Sequence, residues 1–185
     1  IRFSRAFREV RKIIQNNKLG KILSVHAVVG QNLQTWRPGR DLNDTVSVSR
    51  AKGGGVLREL SHEFDYLSTL FGEIVDGYAL LEKTKYLNYD VEDTAMITLR
   101  FKHRDYNLPV SLNMDFTRHD TSRYCHIIGD EATLKWDAVL GRVYVQHSTG
   151  RIEEVYNNKS DLEMSYQDMW GAFINQDFSN FASIT

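Results

Sequence analysis

One histidine stands at a spacing that suits proton transfer. His62 follows Glu59 by three residues and precedes Asp65 by three, within the apolar run Leu57, Leu60, Phe64, Leu67 and Phe71. Residues three apart share a helix face. A carboxylate beside the imidazole would raise its proton affinity and fix its tautomer, as a general acid–base needs. Glu63 and Tyr66 continue the same polar stripe. The competing reading is an exposed surface histidine with ordinary salt-bridging neighbours. A zinc site is a weaker idea, because H-E-F-D-Y lacks the second histidine of H-E-x-x-H.

A second group lies upstream. The segment W-R-P-G-R-D, Trp36 to Asp41, combines an aromatic face, the guanidiniums of Arg37 and Arg40, and the carboxylate of Asp41. Such a set suits a ligand with hydroxyls, a carboxylate or a phosphate. The alternative is a surface loop pinned by Arg–Asp pairs. Arg118, His119 and Asp120 follow a strand pattern; they read as turn residues or as a further wall of the same pocket. Gly53-Gly54-Gly55 precedes the His62 helix. Its N–H groups could face an anion, but the favoured reading is a tight backbone entry. Arg58 breaks the G-x-G-x-x-G pattern, so no dinucleotide fingerprint is present.

These residues need elements to hold them. Phe3, Phe7, Val10 and Ile14 recur at helical spacing over residues 1 to about 17, with basic residues on the solvated side. A strand follows at 22–34, then a long polar loop at 35–52. The glycines lead into one helix of about 16 residues ending at Gly72. From there the period is two, with strands at 74–82, 93–102, 108–118, 122–129, 132–137, 140–147 and 151–156. A last helix at about 162–182 carries Tyr166, Trp170 and Phe173, a stripe that reads as core. Segregated helices and a run of strands joined by short links predict an α+β fold, a mostly antiparallel open sheet with helices packed on one face.

Composition narrows the classes. The 185 residues carry 23 basic and 24 acidic side chains, a net charge of -1. That balance gives no support to bulk nucleic-acid or membrane-surface binding. No stretch of 18 apolar residues exists, so no transmembrane helix is predicted. The single cysteine, Cys125, excludes an internal disulfide framework.

Three segments in order carry a family resemblance: N-K-L-G-K-I-L-S-V-H-A (17–27); W-R-P-G-R-D with G-G-G-V-L-R-E-L-S-H-E-F-D-Y-L-S-T-L-F-G (53–72); and I-I-G-D-E-A-T-L-K-W-D (127–137). Together they resemble the C-terminal domain of the glucose–fructose oxidoreductase / inositol dehydrogenase / MocA family, from about residue 1 to the end. The resemblance implies that 1–185 is a single C-terminal α+β domain for substrate binding and oligomerisation, with the N-terminal Rossmann domain outside this chain. It implies an NAD- or NADP-dependent oxidoreductase acting on a secondary alcohol of a sugar, sugar nucleotide or cyclitol, with no cofactor bound to this part alone. His62 matches the histidine that moves the hydroxyl proton. Glu59 matches an acidic position near it, although many members place aspartate four residues before the histidine. Trp36, Arg37, Arg40, Asp41, Glu63, Tyr66 and Arg118 would hold the substrate. The implied partners are a polyhydroxy molecule, the chain's own Rossmann domain and other copies meeting through the open sheet face. The implied location is cytoplasmic. The rival is a non-catalytic ligand-sensing or assembly domain of the same descent.

Overall fold

The computed structural model describes residues 1–36, 39, 41–87 and 89–182. Helix α1 (Arg5–Gln15) starts at Ser4, whose Oγ accepts the Phe7 N–H at 3.1 Å. Phe7, Val10, Ile13 and Ile14 turn inward, as their spacing predicts. After α1 come strand β1 (Ile22–Gly30), a one-turn helix α2 (Leu33–Trp36), and 3-10 turns at Leu42–Asp44 and Arg50–Lys52. Then follow α3 (Val56–Glu59), α4 (His62–Phe71), β2 (Glu73–Glu82), β3 (Thr94–His103) and β4 (Tyr106–Asp115). The chain continues with β5 (Ser122–Gly129), β6 (Ala132–Asp137), β7 (Arg142–His147), β8 (Ile152–Asn157) and α5 (Asp161–Ile174).

The fold is α+β. Eight strands form a mixed, mostly antiparallel sheet in the order β2-β3-β4-β1-β5-β6-β7-β8. Strand β1 runs parallel to β4, with Ala27 opposite Leu112 and Gly30 opposite Asp115. A parallel neighbour needs a long crossover, and here it contains α2 to α4 and the β2–β3 hairpin. The chain divides into two compact units, Leu23–Cys125 and Ile1–Ile22 with His126–Thr185.

In the first unit, Ala95, Ile97 and Phe101 on β3 and Leu108, Val110, Leu112 and Met114 on β4 are buried. Helix α4 packs on this face through Leu67, Leu70 and Phe71, with Phe71 and Phe101 rings 6.3 Å apart. The alternate residues Met96, Thr98 and Arg100 are exposed, and every residue of β2 is exposed. In the second unit, α1 lies against β6 and β7, where Leu134, Trp136, Val143 and Val145 are buried.

Three elements depart from their sequence patterns. The strand expected at 22–34 ends at Gly30, and Leu33–Trp36 close a helical turn instead. The helix expected as one run of about 16 residues is two: Leu60 leaves helical geometry at φ -105° and ψ 24°, and α4 starts afresh at His62. The last helix stops at Ile174, not near 182, and its aromatic stripe is not core. Tyr166, Trp170 and Phe173 are 58%, 59% and 54% exposed. The reason is on the other side of α5. Asp161 and Ser165 are buried there, and Asp168 bridges Arg5 and Arg8 at 3.1 and 3.0 Å. This helix turns polar side chains toward α1 and leaves its aromatics outside.

Candidate functional site

The glycine segment sets the entry to the site. Gly55 has φ 113°, and a Cβ there would fall 2.2 Å from Glu92 Oε1. A Cβ on Gly54 would fall 2.2 Å from the Val46 carbonyl. The N–H groups of Gly53, Gly54, Gly55 and Val56 donate to the carbonyls of Arg50, Ser49, Ser47 and Glu92. They are therefore occupied within the chain, and the tight-entry reading of these glycines holds over anion binding. The segment does not fit the phosphates of a dinucleotide.

The helix break governs His62. Glu59, expected beside the imidazole, ends α3 and accepts the Ser47 hydroxyl at 2.9 Å instead. His62 opens α4 with an exposed side chain. Its proton affinity is lowered, not raised: desolvation is the main cause and the Arg123 guanidinium adds to it, against a weaker pull from Asp65. A neutral imidazole with an open nitrogen can accept a proton near pH 7.

Glu63 and Tyr66, expected to face a ligand, are 0% and 1% exposed. The polar stripe lies partly underneath the surface. Glu63 takes a two-point ion pair from Arg123, Nε at 2.8 Å and Nη2 at 3.3 Å. Burial raises the Glu63 carboxyl's proton affinity, and Arg123 opposes that shift. One helix turn on, the Tyr66 hydroxyl meets the Cys125 thiol. Burial holds the tyrosine well above its usual range and pushes the thiol up to about 12. Arg123 and Cys125 are two apart on β5, and Glu63 and Tyr66 are three apart on α4. The strand period therefore meets the helix period in two matched rungs. Sequence reading did not single out Arg123. The one signal available was a glutamate inside an apolar helix, which needs a cation but does not say which.

The other expected residues are dispersed around the ends of β1 and β4. Trp36 stacks obliquely on Phe116 at 5.9 Å, and the Leu33 N–H donates to the Phe116 carbonyl. Arg118 is held by Asp115, Nε at 2.9 Å and Nη2 at 2.8 Å, while Asp115 Oδ1 accepts the backbone N–H groups of Thr117 and Arg118. Asp41 caps its own 3-10 turn by accepting the Asn43 N–H at 2.9 Å. His119 and Asp120 are exposed. Arg37 and Arg40 lie outside the described residues. Among the described residues no group of three or more His, Cys, Asp or Glu side chains could hold a metal ion. Among them also no helix is long and apolar enough to cross a membrane.

Fold and site together define an α+β domain that presents a histidine at the start of an interrupted helix, over a buried ion pair. The family model for the GFO/IDH/MocA C-terminal domain matches residues 7–135, and the chain belongs to that family. Its fold is similar to that of an inositol dehydrogenase homolog from Azotobacter vinelandii complexed with NAD+, at 13% identity and a TM-score of 0.73, covering 97% of this chain and 54% of that one. It is also similar to an oxidoreductase domain protein from Kribbella flavida, at 16% identity and 0.72, covering 94% and 55%. A third similar structure is a levoglucosan dehydrogenase in complex with NADH, at 17% identity and 0.71, covering 97% and 62%. The chain thus spans little more than half the length of these proteins. No curated protein matches this sequence.

Proposed function

We propose that this chain is the substrate-binding part of an NAD(P)-dependent oxidoreductase that acts on a secondary alcohol of a sugar, sugar nucleotide or cyclitol. The observation that carries the reading is His62: an exposed imidazole at the first turn of α4, held in its proton-accepting form by desolvation and by Arg123. Family membership and the likeness to an inositol dehydrogenase homolog and a levoglucosan dehydrogenase support the reaction class. Redox chemistry in such a protein belongs to the nicotinamide, which the glycines of this chain are not built to hold. The work of these residues is to seat the polyol and take its hydroxyl proton. Trp36 would lie against a sugar face. Arg118, Asp41 and the loop arginines Arg37 and Arg40 would hydrogen-bond its hydroxyls, and Glu59 would assist from the end of α3. Glu63 and Tyr66 would support the site from below. A Rossmann domain would complete the protein, and a cytoplasmic location belongs to the same reading.

The test is turnover of the full-length protein on sugars and cyclitols, followed by nicotinamide absorbance. His62→Ala is expected to lower it by at least about 10²-fold, since a positioned base contributes about 10²–10⁴-fold. A variant with near-normal turnover would sink the assignment. A second reading, an assembly domain, draws on the outer face of the first unit, where Tyr78, Leu80 and Met96 are exposed side by side. The two readings are compatible, because this face is the one α4 leaves uncovered.

A further inference from the structure

We propose that Arg123, gripped by Glu63, is the positioning residue for His62: the pair fastens the first turn of α4 to β5 and sets a fixed cation beside the imidazole. This inference rests on the role proposed for His62, and adds a residue to it. The interruption at Leu60 and Ser61 leaves α4 without helical support from α3, so its start needs another anchor. Glu63 is the second residue of α4 and fully buried, and its only described ion-pair partner is Arg123. A planar two-point pair fixes angle as well as distance, which a single hydrogen bond does not. His62 is the next residue back, so a backbone shift that loosens the Glu63 pair also moves the Cα from which the imidazole projects.

The charges around His62 make the cation count. Asp65, on the same helix, favours the charged ring. Glu59 is held by Ser47, and Glu63 is paired. Arg123 from β5 acts in the other direction. Loss of Arg123 would leave desolvation in place but remove the fixed cation that opposes Asp65, and the imidazole would take its proton at higher pH.

The experiment titrates the His62 ring by NMR in this chain, with resonances assigned from His62→Gln. Arg123→Lys should keep the midpoint below the ordinary 6.5. Arg123→Met should move it up. Because Arg123→Met leaves a buried carboxylate unpaired, the double variant Glu63→Leu/Arg123→Met is measured beside it; removing both charges is often tolerated. An unchanged midpoint in a folded double variant overturns the proposal. In the full-length protein, Arg123→Lys should restore most of the turnover lost in Arg123→Met, and the acid limb of its pH profile should follow the NMR midpoint. Failure of the His62 assignment shows separately, as an active His62→Ala protein whose parent still titrates as described.

Discussion

His103 shares with His62 a loss of proton affinity, but for a structural rather than a catalytic use. It is buried between the rings of Phe71 and Tyr106, at 5.7 and 5.5 Å, and its Nδ1 lies 3.3 Å from the Phe71 carbonyl. Its Nε2 has no partner among the described residues. Desolvation lowers its proton affinity first; the Phe71 carbonyl pulls the other way and Arg104 adds to the lowering. With the folded value below 6.5, the unfolded chain binds more protons as pH falls through that value, so stability falls with it. Urea unfolding should therefore show a loss of stability from about pH 7 to about pH 5, and His103→Gln should reduce the slope. An unchanged slope would mean that other groups set it. His62 was legible as a candidate from its type and position. The sign of its shift was not, since that depends first on how the fold desolvates the ring and then on Arg123, which lies 60 positions from Glu63 and could not be told apart from 22 other basic residues.

At the scale of elements, one carboxylate joins two helices. Asp161 opens α5 and caps α1: its Oδ1 accepts the N–H groups of Arg5 and Ala6 at 2.9 and 3.1 Å and the Tyr156 hydroxyl at 3.0 Å. The Ser4 hydroxyl donates to its Oδ2 at 2.5 Å. Asp161→Ala leaves several buried donors unanswered, so a loss of about 1–3 kcal/mol is expected in urea unfolding. A loss below about 0.5 kcal/mol would assign the cap to Ser4 alone. Gly54→Ala should be as damaging, because the added methyl meets backbone at Val46 and Ser47, which cannot swing aside. Strands were easily read: 122–129 and 132–137 have the bounds of β5 and β6. The break at Leu60 was not, because an apolar period counts residues per turn and is blind to a single distorted ψ. The α5 stripe was assigned to the wrong side for a related reason. Periodicity groups Tyr166, Trp170 and Phe173 on one side, but which side is covered follows from Asp161 and Asp168, whose partners lie about 160 residues away.

For the whole molecule, a net charge of -1 gives little repulsion between copies, while apolar side chains are exposed on both units. Tyr78, Leu80 and Met96 lie on one, and Tyr166, Trp170, Phe173 and Ile174 on the other. The chain is expected to associate as its concentration rises. Light scattering should show the average mass fall when Tyr78 and Met96 are replaced by Glu and Lys. If Trp170→Gln and Phe173→Gln lower it instead, the α5 side is the contact. A strictly monomeric parent chain would contradict both.

Cys125 gives the molecule a built-in reporter. It is the chain's single cysteine, fully buried, with its thiol raised to about 12. In the closed state it is neither reachable nor ionised, so an alkylating reagent can capture it only during moments when α4 lifts from β5. The labelling rate under native conditions would then time the opening of the platform beneath His62, without a substrate, a cofactor or an introduced probe. A polyol that seats on that platform should slow the labelling.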